Sequence, residues 1–349
     1  GGGGGQTSYV TLRNKWMKGY AKKYPHSTLS YGAFGRDFIK EAAKTDKPFC
    51  LSISFKAPHM PDTPDLKFNS IYKGKTFKKP PNFGREYAKH LSPQSKKGRQ
   101  WERWDSWGYS SRYDEVMRKY HQLVHGIDHA TGMIIDALQE NGALDNTVII
   151  YTSDNGFLCG SHGYGSKVLP YEESVRVPMI IFDPRHKSSG QGTRISALTG
   201  NIDIAPTILA LAVLKAGSGM EGKSLMSLLN DPGKEIHEQL YLMNFWGPVA
   251  TQSLGVVTRD WKYIYWYYGQ DMNPTEELFD MRKDKLELFN IVNDPQQKKA
   301  LQLMRDHYDN GLASIKRKGA PTHKVYGKLF DRKVPWNQKA ALIDSFKNK

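Results

Sequence analysis

The sequence predicts an α/β fold, and three observations carry that prediction. Two short β-rich runs, Phe49-Cys50-Leu51-Ser52-Ile53-Ser54-Phe55 and Thr147-Val148-Ile149-Ile150-Tyr151, each lead into a turn that carries polar side chains. Between them, Arg112 to Asn141 has apolar residues at helical spacing. Beyond Leu240 the texture shifts to β-branched and aromatic runs followed by one further helical stretch, the pattern of a small α+β appendage.

Each element follows from its residues. Tyr31 to Thr45 places Phe34, Phe38, Ile39 and Ala42 on one helical stripe. Pro48 to Phe55 then reads as a buried strand that ends at a Pro58-His59 turn. Residues 62–110 form a long insertion rich in Pro, Lys and aromatics with little periodicity, and a loop of that length in a compact domain is usually functional or mobile. The long helix at Arg112–Asn141 has Val116, Tyr120, Leu123, Val124, Ile127, Ile134, Ile135 and Leu138 as its apolar face, with Gly142 placed to cap it. The run to Tyr151 is the next strand, Val177 to Phe182 another, and Ile204 to Ala212 a helix. Ser253–Arg259 and Trp261–Tyr268, split by Asp260, read as a hairpin. Asp294 to Ile315 returns to helical spacing with Leu301, Met304, Tyr308 and Leu312 on one side. The domains expected are a lead-in over 1–30, an α/β domain over 31–239, a small sheet-plus-helix subdomain over 240–315, and a basic tail over 316–349 that wraps rather than folds alone.

Composition narrows the function classes. With 349 residues the chain is long enough to bury a core, and 39% hydrophobic with 12% aromatic is ordinary globular composition. No run reaches the ~20 apolar residues that span a membrane as a helix. Two cysteines give no disulfide framework and read as two free thiols as readily as one bridge. The net charge of +15 raises the local concentration of anionic ligands. Nucleic acid is the generic partner for such charge, yet no nucleic-acid motif is present.

The chemistry concentrates where the strand to Tyr151 runs into Ser153-Asp154-Asn155-Gly156. Open α/β sheets bind their ligands outside the C-terminal ends of strands. Asp and Asn present hard oxygen donors, which suit Ca²⁺ or Mg²⁺ better than a soft metal. Lys167, a few residues on, offers a compact positive charge to a tetrahedral oxyanion. The local reading is a metal-assisted site for sulfate or phosphate esters; the competing one is a plain Asn-Gly turn after a strand.

Four blocks in order add a family. Phe55-Lys56-Ala57-Pro58-His59-Met60-Pro61, then Ser153-Asp154-Asn155-Gly156 with Lys167 and Tyr171-Glu172-Glu173-Ser174…Val177-Pro178, then Asn201-Ile202-Asp203-Ile204-Ala205-Pro206-Thr207, then Glu277-Leu278-Phe279-Asp280 with Asn290, resemble segments of the type I, formylglycine-dependent sulfatases. The resemblance implies an alkaline-phosphatase/sulfatase-like mixed sheet flanked by helices, with a small C-terminal α+β subdomain. It implies that Asp154 and Asn155 are ligands of a Ca²⁺ cofactor, that Lys167 binds sulfate, and that His59 contacts sulfate and gives a proton to the leaving alcohol. Histidine suits that role, since its ordinary pKa of ~6.5 lies near working pH. His162 and the aromatic, basic stretch around Arg103 and Trp104 are further candidates for substrate contact, with a sulfated glycan as partner. An extracytoplasmic location goes with such a hydrolase.

Departures from the family pattern are as informative. Neither Cys50 nor Cys159 sits in the motif that becomes formylglycine, and no serine begins one. The family's N-terminal Asp-Asp metal pair and its Gly-Lys-x-His segment are missing too. The chain therefore reads as the C-terminal portion of such an enzyme, with the nucleophile expected in an N-terminal portion as partner. The glycine run Gly1–Gly5 reads as a linker or as positions standing in for other residues. The alternative is a non-catalytic sulfatase-like binding or structural protein.

Overall fold

The computed structural model describes residues 17–60, 63–317 and 321–347; the Gly1–Gly5 run and Pro61 of the Pro-His block lie outside them. In chain order the regular elements are α1 (Lys18–Ala21), α2 (Ser27–Ala42), α3 (Arg99–Ser106), α4 (Tyr113–Glu140), β1 (Ile149–Thr152), α5 (Glu172–Val175), β2 (Met179–Phe182), α6 (Ile204–Leu211) and α7 (Met226–Asn230). They continue with β3 (Leu240–Asn244), β4 (Ser253–Val257), β5 (Trp261–Trp266), β6 (Thr275–Asp280), α8 (Lys298–Arg317), α9 (Pro321–Leu329) and α10 (Trp336–Lys347). This is the mixed α/β organisation the sequence predicts. The described residues divide into two compact units, each built from separated segments: those within Gly1–Lys79, Ser111–Tyr151 and Ile180–Gln191 form one, and those within Pro80–Ser110, Thr152–Met179 and Gly192–Lys349 the other.

The first unit is organised around α2 against α4. Small residues set the approach: a Cβ on Gly32 would lie 2.8 Å from the Ala130 Cβ, so the helices meet nearly backbone to backbone there. Leu29, Phe68 and Ala130 make one apolar cluster, and Ile39, Ala137 and Leu138 another that Ile149 of β1 packs against. Helix α4 ends as expected, with Gly142 in the left-handed region at φ 65° and its N–H on the Gln139 carbonyl. Val124, expected on the apolar face, is 37% exposed, because it lies one residue around the helix from the buried Leu123–Ile127 stripe.

One expected strand is absent here. Residues 49–55 alternate between half-buried and exposed, the period of a pleated strand, yet they pair with no ladder partner among the described residues. Strands β1 and β2 pair with each other as a two-stranded sheet.

The second unit contains an antiparallel sheet in the order β3-β4-β5-β6. The β4–β5 hairpin that the sequence predicts pairs Ser253 with Trp266 and Val257 with Lys262. Because side chains alternate across a strand, β5 sorts its residues between two faces. Tyr263 and Tyr265, with Tyr267 just past the strand, join Leu254, Val256 and Leu278 against Met304, Tyr308 and Leu312 of α8. Lys262, Ile264 and Trp266 take the opposite face, where Ile264 and Trp266 pack with Leu158, Tyr164, Leu169 and Tyr171. The first face thus holds the helices, and the second holds the loop that carries Lys167.

The tail from Lys316, expected to wrap rather than fold alone, carries helices α9 and α10, and Leu329, Phe330 and Ile343 supply apolar side chains that join the sheet's helical face. One further expectation is corrected. The 62–110 insertion is not one aperiodic loop: it holds three short 3-10 turns and α3. Both cysteines are free thiols; Cys50 is exposed, and burial pushes the Cys159 thiol up to about 12, which leaves it inert.

Candidate active site

Strand β1 delivers Ser153-Asp154-Asn155-Gly156 into a turn whose backbone is fixed from several directions. The Asn201 side-chain amide donates to the carbonyls of Ser153, at 2.9 Å, and Asp154, at 3.2 Å. The Ser153 hydroxyl donates to the Asn155 carbonyl at 2.9 Å. Asp154 Oδ1 accepts the Asn155 N–H at 2.9 Å, while the Asp154 side chain remains exposed. Asn155 spends its amide nitrogen on the Gly156 carbonyl at 2.8 Å, so its oxygen is the end available to a cation. Two hard oxygens on one tight turn fit Ca²⁺ chemistry, but Ca²⁺ takes six to eight donors. Two such oxygens alone would make only part of a Ca²⁺ coordination sphere.

Gly156 cannot be another residue. A Cβ there would lie 2.1 Å from the Glu173 carbonyl oxygen, and the Gly156 N–H donates to the Ser174 carbonyl at 2.8 Å. Ser174, on the single turn α5, also acts through its side chain, whose hydroxyl accepts the Val168 N–H at 2.8 Å. One buried serine thus ties the Asp-Asn turn to the segment that carries Lys167.

That segment is strained. Ser166 and Val168 flank Lys167 with φ of 72° and 90°, in the left-handed region that β-branched residues avoid. Such conformations persist only where surrounding structure imposes them, and they cluster at functional sites. Here the imposition is visible. Gln100 donates to the Lys167 carbonyl at 2.7 Å, and Leu158 donates to the Ser166 carbonyl at 2.6 Å. The loop presents Lys167 by force.

His59 belongs to the first unit. Its Nδ1 sits 2.7 Å from the Met60 carbonyl, which only accepts, so Nδ1 is the donor of that bond. Arg103 and Trp104 lie on α3, in the second unit. Trp104 meets Phe83 edge-on at 4.9 Å, a packing contact. The Arg103 guanidinium lies 4.4 Å over the ring of Trp107, which stacks in parallel on Phe157 at 5.9 Å. Phe157 follows the Asp-Asn-Gly turn directly. Trp107, rather than Trp104, is thus the tryptophan placed beside that turn. Sequence alone singled out Arg103 and Trp104 from a stretch that holds three tryptophans.

His162 is fully buried. Its Nδ1 donates to the Tyr87 carbonyl at 2.9 Å, and its Nε2 accepts from the Asn82 amide at 3.0 Å. The same Asn82 nitrogen reaches Glu173 Oε1 at 2.6 Å. His162, Glu173 and Glu287 are a set of three side chains among the described residues whose donor atoms lie within 4.8 Å of one another. A cation already occupies this neighbourhood: Lys262, wholly buried, reaches Glu172 at 2.5 Å and Glu287 at 2.7 Å. Burial pushes the Glu287 carboxyl up to about 8, against the pull of Lys262. Burial also disfavours the Lys262 ammonium, but Glu287 and Glu172 outweigh it and raise its pKa. Charge is balanced inside the chain, so this group works as an internal brace under the Lys167 loop. The sequence showed Glu172 and Glu173 in their motif but gave no sign that Lys262 and Glu287, far along the chain, complete it.

Fold and site together describe an α/β scaffold in which a turn bearing Asp154 and Asn155 is tied to a strained segment bearing Lys167, and the family follows from comparison. The model described as Sulfatase matches residues 5–214, and one described as N-sulphoglucosamine sulphohydrolase, C-terminal, matches residues 160–312. The chain belongs to the sulfatase family. It is 34% identical over 207 residues to an N-acetylglucosamine-6-O-sulfatase of Bacteroides thetaiotaomicron, covering 56% of this chain and 36% of that protein. It is 27% identical over 270 residues to an arylsulfatase of Clostridium perfringens, covering 77% of this chain and 54% of that one. A solved structure in complex with its substrate D-glucosamine-2-N,6-O-disulfate superposes with a TM-score of 0.69 at 26% identity, over 82% of this chain and 69% of that one. The chain spans about half the length, or less, of these curated relatives. Among the described residues, no helix is long and apolar enough to cross a membrane.

Proposed function

We propose that this chain is the C-terminal portion of an extracytoplasmic carbohydrate sulfatase that hydrolyses the sulfate ester of a sulfated amino sugar. The observation that carries the reading is Ser174, which couples the Asp154-Asn155 turn to the strained Ser166-Lys167-Val168 segment. Asp154 and Asn155 would hold one side of a Ca²⁺ ion, which when bound supplies Lewis-acid polarisation of the sulfate oxygens. The remaining ligands and the formylglycine nucleophile would come from the N-terminal portion, whose motifs this sequence lacks. Lys167 offsets the charge of the sulfate in a site where its position is fixed before substrate arrives. For His59, on the first unit, proton donation to a leaving alcohol rests on the family resemblance alone. The Arg103–Trp107 pair offers a cation and an aromatic face to the sugar. His162, with both ring nitrogens engaged, serves by bracing the loop. The names of the relatives, two of which act on or bind sulfated glucosamines, support the substrate class.

The test is sulfate release from N-acetylglucosamine 6-sulfate by the full-length protein. Lys167→Ala lowers kcat by roughly 10²–10³, the scale of losing one preorganised charge stabiliser. Chelation abolishes turnover and Ca²⁺ restores it. Unchanged turnover in Lys167→Ala and Asp154→Asn, or no sulfate release at all from a fully folded protein, overturns the reading in favour of a binding component.

A further inference from the structure

The segment 66–79 carries five lysines, Lys67, Lys73, Lys75, Lys78 and Lys79, and no carboxylate. All five are exposed. The segment is laid along α4 and held there. The buried Gln122 amide donates to the carbonyls of Phe68, at 3.0 Å, and Ile71, at 2.9 Å. Phe68 meets His125 edge-on at 4.9 Å, and Phe77 stacks flat on His121 at 4.8 Å. Further down the helix, the Phe77 N–H donates to Asp114 at 2.8 Å. Near the other end, Lys67 Nζ lies 3.2 Å from His129 Nε2. The contacts run from Asp114 to His129, which at ~1.5 Å per residue is roughly 22 Å of helix. Between the anchors, Tyr72 and Gly74 adopt φ of 62° and 71°, and the Lys75 N–H closes a turn on the Tyr72 carbonyl at 3.1 Å, with Lys73 and Lys75 at its tip.

Phe68 and Phe77 pack on the helix, while Leu66, Tyr72 and the five lysines are exposed. An ordered row of cations costs like-charge repulsion, and an anionic ligand relieves it. We propose that this strip on the first unit binds an extended sulfated polysaccharide. The inference rests on the sulfatase reading and deepens it: the substrate would be a polymer gripped along its length and not only at one ester. Sulfate esters stay ionised across physiological pH, so point-charge lysines suit them. Single-stranded nucleic acid is the competing polyanion, and it needs aromatic faces on which bases stack. Phe68 and Phe77 are already spent on His125 and His121.

The experiment is titration calorimetry of the whole protein with a heparin-derived oligosaccharide at two salt concentrations. Lys73→Gln/Lys75→Gln/Lys78→Gln weakens binding about tenfold or more and flattens the salt dependence, as expected when phosphate- or sulfate-type contacts are lost. Lys283→Gln/Lys285→Gln/Lys298→Gln, an equal charge change on exposed residues of the other unit, leaves affinity within about twofold. Equal losses in the two triples, no loss in the first, or better competition by a single-stranded oligonucleotide of matched charge overturns the proposal. Turnover of a monosaccharide sulfate separates the two readings. If it is unchanged in the first triple while oligosaccharide binding falls, the strip is supported. If no variant or parent releases sulfate yet the strip still discriminates, the sulfatase reading fails and this one stands.

Discussion

The two faces of the β3–β6 sheet each bury a lysine, and they solve the problem in opposite ways. On the loop-facing side, Lys262 sits between Glu172 and Glu287 and its charge is kept. On the helix-facing side, Lys339 of α10 donates to the Tyr265 hydroxyl at 2.8 Å and lies 4.8 Å over the same ring. Burial lowers its pKa to about 8, with Asp331 pulling the other way. One face is an ionic brace and the other an aromatic core that tolerates an amine. The brace lies under the Lys167 loop, on the face where Leu158, Tyr164, Leu169 and Tyr171 pack. A buried network fixes geometry more sharply than it adds stability, because desolvation offsets most of the attraction.

The largest break in this comparison is Lys262→Met. It leaves the Glu172 carboxylate without its cation, and it is expected to cost about 3–5 kcal/mol in urea unfolding. Lys262→Met/Glu172→Gln removes the stranded charge as well and recovers most of that loss. A single variant as stable as the parent would show that the network does not hold its charges in the folded state.

A smaller change tests whether the brace transmits order to the site. Ser174→Ala keeps the carbonyl that binds the Gly156 N–H but removes the acceptor for the Val168 N–H. A buried N–H left unpaired costs about 1–3 kcal/mol. The expected signature is a rise in hydrogen exchange at residues 166–168 with the Asp154–Gly156 turn unchanged. Loosening of both together would mean that the two segments are held by something other than this hydroxyl.

The sequence made much of this legible, and its failures have physical causes. Helices α2 and α4, the β4–β5 hairpin and α8 announce themselves through local periodicity, which is set by each element's own residues. Asp154, Asn155 and Lys167 stood out because a strand end followed by Asp-Asn-Gly is a short-range pattern. The run at 49–55 keeps its strand period but finds no partner among the described residues, and pairing is not a local property. Helices α9 and α10 were hidden by the basic charge of the tail, which masks apolar residues as few as Leu329, Phe330 and Ile343. Lys262, Glu287 and Asn82 were invisible because they meet across long stretches of chain. Nothing in the spacing of His162 said that both its nitrogens would be taken.

The smallest expected effects are titrations, and they run in opposite directions on the two faces. The Glu287 carboxyl, pushed up to about 8 by burial, holds a proton in the folded chain that the unfolded chain releases near pH ~4.3. Its contribution is therefore full below that lower value and is lost as pH rises through about 8. Lys339, lowered to about 8, gives up in the folded chain a proton that the unfolded chain keeps to pH ~10.4, so its contribution grows as pH rises between the two values. Thermal melts across this range are expected to show the decline between pH 5 and 8 flattened in Glu287→Gln, and the recovery above pH 8 flattened in Lys339→Met. At neutral pH, Lys339→Met should lie within about 1 kcal/mol of the parent, because the methionine fills the same space and only the Tyr265 hydroxyl loses a partner. A loss there as large as that of Lys262→Met would erase the difference between the faces. It would mean that Lys339 is held by ion pairing after all, with the aromatic rings as bystanders.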